Sequence, residues 1–294
     1  MRKIIKSPTL MIALSMAIFG TIAPFVRMTG LASGEVALYR AVLAALLIAL
    51  FLLFTKQSIP FKSFKRSTLP LLLFSGAAMA FNWIFLFEAY KYTTVSVATL
   101  SYYFAPVIVT VVCPILFKER MNAKQWVCFG GSTLGIVLIT GIGDLSGGSS
   151  HLIGIAFGLC AALLYASVIL LNKFIREVDG IHRTFLQFVA AIIVLVPYVL
   201  LTDGINLLTL TFKGTVALLT VGVIHTGITY CLYFSSLKNL SGQKVSILSY
   251  IDPLVAVIIS VTVLKEGITL TQIIGGVMIL GFTLWNEVNF TKKS

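Results

Sequence analysis

Ser96, Thr99, Tyr103, Pro106, Thr110 and Cys113 are separated by 3, 4, 3, 4 and 3 positions. On a helix of ~3.6 residues per turn this spacing draws one polar stripe. Gln243, Ser246, Tyr250, Pro253 and Ser260 redraw it 147 residues later, with Val257 standing opposite Thr110. Hydroxyls, phenols and amides in such a row bind polar molecules by hydrogen bonding and stacking; no base stands beside a nucleophile. H-E-x-x-H, P-loop, G-x-S-x-G and paired D-x-D signatures are missing from the chain, so catalysis has no recognisable centre. Cys113, Cys128, Cys160 and Cys231 sit singly in apolar runs, which fits packing rather than metal binding. Neither cofactor nor metal is expected.

The elements that must carry this stripe lie in lipid. Of 294 residues, 58% are hydrophobic and 11% charged, and mean hydropathy is +1.01. A soluble surface needs about a quarter of its residues charged, so an all-α integral membrane protein is expected. Apolar runs fall at 9–26, 34–54, 68–89, 94–117, 124–142, 151–173, 181–201, 211–235, 241–264 and 270–288, which are ten spans of roughly 20 residues. The first, preceded by Arg2, Lys3 and Lys6, has the outline of a signal peptide but is long and lacks an A-x-A box, and is read as an uncleaved span. The +12 net charge invites a nucleic-acid reading, which the scattered basic residues do not support. Membrane topology accounts for it instead. Seventeen of the 22 Lys and Arg fall on the side of the N-terminus, four (Arg27, Lys91, Lys213, Lys265) fall opposite, and Arg40 lies within a span. Positive-inside therefore places both termini in the cytoplasm of a multi-pass plasma-membrane protein.

The chain also repeats itself. Lys91, Tyr103, Pro106, Lys118, Glu119 and Gln125 recur as Lys238, Tyr250, Pro253, Lys265, Glu266 and Gln272 at one ungapped offset of 147. Residues 1–143 and 151–294 are read as two five-helix repeats joined by a linker at 144–150. Five spans per repeat is odd, so the second enters the membrane inverted, an architecture common among secondary transporters with a midplane site. On these features the sequence resembles the EamA-type transporters of the drug/metabolite transporter superfamily. The Tyr39-Arg40 pair, the run Ser96–Glu119 with its proline and closing Lys-Glu, and Gly-rich fifth and tenth spans (Gly130, Gly131, Gly135; Gly275, Gly276, Gly281) carry the resemblance. Phe19-Gly20 stand where many members have tryptophan. The resemblance implies export or exchange of small metabolites, amino acids among them.

Against that frame the chemistry-bearing residues acquire places. Tyr103 and Tyr250 fall near the midplane with Thr99, Gln243 and Ser246 on their stripes; a substrate cavity and plain interhelical bonding both explain such rows. Pro106 and Pro253 each remove a backbone donor, freeing the carbonyls of Tyr102 and Ser249 as ligands or hinges, or simply packing as kinks. Asn82 and Thr229, 147 apart, with Trp83 beside Asn82, are further candidate contacts. Arg40, opposite Gln187 in the repeat, either meets a substrate carboxylate or snorkels to headgroups. Asp252 is the one acid well inside a span and a candidate coupling group, although it points about 200° away from Tyr250 around an ideal helix. His225 is a candidate proton relay, with a hydrogen bond to a neighbouring helix the plainer alternative. Glu119 and Glu266, beside Lys118 and Lys265, are read as solvated helix ends. The resulting expectation is a secondary transporter, exporter or exchanger, of a small polar or amphipathic metabolite. An amino acid comes first and a quaternary amine or drug-like cation second; a pore or an intramembrane enzyme ranks below both. The partners are the substrate and the bilayer, with oligomeric state unread.

Overall fold

A computed structural model describes residues 7–59, 61, 64–117, 121–140, 148–175, 177–178, 180–237, 240, 245 and 248–287. Among them the chain is helical, without strands. The helices are α1 (Pro8–Gly20), α2 (Ile22–Thr29), α3 (Ser33–Phe54), α4 (Thr68–Tyr92), α5 (Val95–Tyr102), α6 (Ala105–Phe117), α7 (Ala123–Thr140), α8 (Gly148–Phe174), α9 (Gly180–Leu201), α10 (Phe212–Leu219), a π-helical stretch (Thr220–Ile228), α11 (Thr229–Leu237), α12 (Ile251–Thr262) and α13 (Leu270–Glu287). Seven segments are long and apolar enough to cross a membrane, and three shorter apolar helices (Ala123–Ile139, Ile251–Thr262, Leu270–Asn286) complete the ten. An all-helical solution is what lipid demands, because each backbone N–H and C=O must find its partner within the span.

Several expected spans are not single helices. The first is α1 and α2, interrupted at Thr21; the fourth is α5 and α6, interrupted at Tyr103 and Phe104; the eighth is α10, the π stretch and α11. Residues 148–150, expected in the linker, open α8, while 141–147 lie outside the described residues.

Lipid gives helices no reason to associate beyond fit, so small residues set the closest approaches. A Cβ built on Gly135 of α7 would stand 2.7 Å from the Gly275 carbonyl of α13, and one on Gly275 would stand 2.5 Å from the Gly135 carbonyl. Gly76 in α4 meets Gln187 and Ala190 of α9 in the same way. The main core joins spans 1 to 4 and 6 to 9 through residues such as Ile48, Phe87, Ala98, Ala161, Phe188, Leu195, Val221 and Ala256. At one end Glu35, fully buried at the start of α3, accepts the Asn206 N–H at 2.7 Å and its Nδ2 at 3.0 Å, tying the loop after span 7 to span 2.

Candidate functional site

Three interruptions of the helices meet at one place. Gly20, where α1 stops, lies so close to span 9 that an added Cβ would be 2.5 Å from the Asp252 carbonyl. Tyr103, in the gap between α5 and α6, donates its hydroxyl to Asp252 Oδ2 at 2.7 Å and lies 3.3 Å from the Ser249 carbonyl. Pro106 and Pro253 are not mid-helix kinks. They are the second residue of α6 and the third of α12, where the first turn leaves N–H groups without intrahelical partners and proline forfeits nothing. The sequence placed the irregularity correctly and mistook its form. Ser249, whose carbonyl Pro253 was expected to release, is indeed the residue whose carbonyl Tyr103 reaches. Asp252 also needs correction: its carboxylate faces the first half of the chain and is held there by Tyr103, which the angle from Tyr250 alone did not reveal.

Tyrosines surround this junction. Tyr102 stacks near Tyr165 of α8 at 5.3 Å and crosses Tyr103 at 5.8 Å. Tyr230 packs on Phe19 and on Phe188, each at 5.3 Å, and Phe188 in turn meets Trp83 at 5.4 Å. Tyr102, Tyr103, Tyr230 and Asp252 remain only partly buried, and Tyr165 is 39% exposed.

Arg40 stands on the other side of these rings. Its guanidinium lies 4.3 Å from the Trp83 ring centroid and 5.5 Å from that of Phe87, and Nε donates to Thr226 Oγ1 at 3.1 Å. At 4% exposure it does not snorkel. Insertion of arginine at a span centre costs about 2.5–3.5 kcal/mol; two desolvated cation–π contacts and one hydrogen bond from a charged donor, each worth ~1–3 kcal/mol, offset that without any carboxylate. Among the described residues no carboxylate pairs with Arg40, and no cation pairs with Asp252. Tyr90 and Tyr230 each lie near both Arg40 and Asp252.

The π-helical stretch supplies Thr226. Its wide ladder is supported by side chains reaching five residues back, Thr226 to Val221 at 2.8 Å and Thr229 to Ile224 at 2.7 Å. Donating to Val221 commits the Thr226 proton and leaves its lone pairs to Arg40. π stretches inside α-helices recur at functional sites. His225 reaches the Thr220 carbonyl with Nδ1 at 3.1 Å and Thr21 Oγ1 with Nε2 at 3.0 Å, so it bridges span 8 to the break in span 1.

Other expected contacts are engaged between helices. Asn82 Nδ2 donates to the Ala161 carbonyl at 2.6 Å. Gln187 Nε2 binds Ser75 Oγ and Asn172 Oδ1, the latter at 2.8 Å, and it is not beside Arg40's partners. Thr229 is fully buried against its own backbone, Tyr250 is 8% exposed, and Thr99 faces the Tyr90 phenol. Gln243 and Ser246 lie outside the described residues. Sequence reasoning missed Tyr90, Tyr165 and Thr226, took Tyr102 only for its carbonyl and misread Glu266. Tyr102 adjoins a chosen residue, and Tyr165 had no spacing signal. Glu266 is no solvated helix end: its side chain is 13% exposed and ion-paired with Arg27 at 2.6 Å.

The EamA-like transporter family matches residues 6–141 and again 152–286. The chain belongs to that family. Among relatives, the uncharacterized transporter YxxF of Bacillus subtilis (strain 168) is 34% identical over 90% of this chain and 85% of its own length. An uncharacterized transporter of Archaeoglobus fulgidus is 30% identical over 94% of this chain and 95% of its own. A crystal structure superposes with a TM-score of 0.66 over 95% of this chain and 97% of that one at 15% identity, a likeness of fold alone. A transport role for this EamA-family membrane protein thus rests on family and relatives, and its cargo on the site.

Proposed function

We propose that this EamA-family protein is a secondary transporter of small zwitterionic metabolites, amino acids first, exporting or exchanging them by alternating access through the cavity between Arg40 and Asp252. One observation carries the reading: among the described residues a buried guanidinium without a carboxylate and a carboxylate without a cation both lie near Tyr90 and Tyr230. Each charge lacks what the other end of a zwitterion supplies. A purely cationic amine is the second reading, favoured by the tyrosines and Asp252, but Arg40 opposes it. Asp252 is the better coupling candidate because Tyr103 holds it between the halves of the chain; both His225 nitrogens are engaged, Nδ1 on the Thr220 carbonyl of its own span and Nε2 on Thr21 of span 1.

The inverted two-repeat organisation, 1–143 and 151–294, belongs to the same proposal. Exchanging spans 1–5 for 6–10 maps the packing of 3 on 6 onto 8 on 1, of 3 on 7 onto 8 on 2, and of 1 on 9 onto 6 on 4, while 2 on 7, 4 on 9 and 5 on 10 map onto themselves. Such exchange supports a two-fold relation in the membrane plane. With 17 of 22 cations on one side, both termini are cytoplasmic in a plasma membrane.

Purified protein in liposomes loaded with unlabelled amino acid should accumulate the same labelled amino acid by exchange, with and without a pH gradient. A decarboxylated amine and a deaminated acid of the same side chain should each compete poorly. Exchange of the amine alone would favour the cationic reading; no exchange with any of the three would remove the zwitterion assignment.

A further inference from the structure

At the end of the bundle where spans 1, 3 and 9 finish, Arg27 and Glu266 are each bound to more than one another. Arg27 Nε and Nη2 donate to the Tyr90 carbonyl at 3.0 and 2.6 Å, and Nη2 to the Thr93 carbonyl at 3.2 Å. Nη1 donates to Glu266 Oε1 at 2.6 Å. Glu266 Oε2 accepts the Val95 N–H at 2.8 Å and the Ser260 hydroxyl, and Ser260 Oγ accepts the Ser96 N–H at 3.2 Å. Every bond of Glu266 to Arg27 and Val95 joins the second half of the chain to the first.

The cluster stands directly over the cavity. α5 runs from Val95 to Tyr102, just before Tyr103, and α12 runs from Ile251, just before Asp252, to Thr262. The two half-helices that meet at Tyr103 and Asp252 are therefore tied together again at their far ends, about 12 Å away along α5 at 1.5 Å per residue. We infer that Arg27 and Glu266 form the gate of this site, closed in the present conformation, and that access from their end requires the pair to part. The inference rests on the transport reading, whose cycle needs one end shut while the other admits substrate.

The chemistry suits a contact that opens. The Arg27 side chain is 32% exposed, so an ion pair at that edge exchanges readily for water. The Val95 N–H belongs to the first turn of α5 and takes water as easily as a carboxylate. By contrast, α7 and α13 touch backbone to backbone at Gly135 and Gly275, leaving no room for a small separation. At the opposite end, an ion pair joins Lys65, ahead of α4, to Glu177, between α8 and α9. Glu119, the repeat counterpart of Glu266, lies outside the described residues.

The test reads opening rather than flux. In a background with Cys113, Cys128, Cys160 and Cys231 changed to Ser, Ser96→Cys places a thiol at a 1% exposed position beneath the pair. A membrane-impermeant thiol reagent is applied to right-side-out and inside-out vesicles. Glu266→Gln should raise the labelling rate from the Arg27 side roughly tenfold, the response of a shifted two-state equilibrium, with no rise from the other side. Arg27→Lys, which keeps the charge but loses the fork on Tyr90 and Thr93, should give an intermediate rise and serves if the Gln variant does not insert. Unchanged labelling in both variants, equal rises from both sides, or failure of both to insert would overturn the gate in favour of a fixed staple. Unchanged labelling with exchange intact removes the gate alone. Increased labelling without exchange of any amino acid leaves the gate standing and removes the zwitterion cargo.

Discussion

Tyr103 and Tyr250 occupy equivalent places in the two halves of the chain, each just ahead of a half-helix with proline in its first turn. Tyr103 keeps part of its surface exposed and gives its hydroxyl to Asp252, whereas Tyr250 is 8% exposed and belongs to the packing. The reason is one substitution away. The counterpart of Asp252 in the first half is Ala105, a fully buried small residue, so that repeat position carries no carboxylate. Arg40 follows the same rule in reverse, since its counterpart in the second half is Gln187, which is engaged by Ser75 and Asn172. A repeated scaffold supplies two similar surfaces, and single unmatched residues decide which surface carries charge. In the proposed site the first half contributes the cation, Arg40, and the second the anion, Asp252.

Three pairs of substitutions test that comparison. Arg40→Gln makes the first half resemble the second, and should reduce exchange of a carboxylate-bearing substrate by about 10²-fold, the loss of one charge-assisted contact of ~1.5–3 kcal/mol. Gln187→Ala should leave substrate KM unchanged; an equal loss of exchange in both variants would erase the asymmetry. Tyr103→Phe removes only the donor to Asp252 and should slow exchange about tenfold, with Tyr250→Phe within about twofold of the parent. Matching losses at the two tyrosines would return Tyr250 to the cavity. The smallest expected effect is structural: Gly20→Ala presses a methyl on the Asp252 carbonyl and should destabilise by ~1–3 kcal/mol in detergent thermal unfolding. Its counterpart Ser167 only bonds its own turn at Leu163, and Ser167→Ala should change stability by less than about 0.5 kcal/mol.

Ten spans, their approximate limits and the broken fourth and ninth helices were legible because each rests on local chemistry. Apolar length is a property of the segment, and proline's missing donor is a property of one residue. The coincidences at the offset of 147 stand out because Lys, Glu, Pro and Gln are scarce in apolar helices and rarely coincide at one offset. Arg40 was legible as a suspect through its cost in lipid, as was Asp252. What each of them touches was not. Asn82 and Gln187 looked like ligands by residue type, yet a buried amide is equally satisfied by the carbonyl or hydroxyl of the next helix, and the sequence does not say which helix is next. Asp252 was judged by its angle from Tyr250, whose backbone stays helical, and what the sequence did not say is that Tyr103 rather than Tyr250 marks the side Asp252 faces. The π stretch at Thr220–Ile228 has no spacing signature, so the meeting of Thr226 with Arg40 followed only from the packing of span 8 on span 2. Glu266 was misread for the same reason: beside Lys265 in the sequence it looks solvated, and only the fold brings Arg27 and Val95 to its two oxygens. By itself the sequence determined which residues lipid would not tolerate unpartnered; the tertiary structure decided who the partners are, because those partners lie up to 239 positions away along the chain.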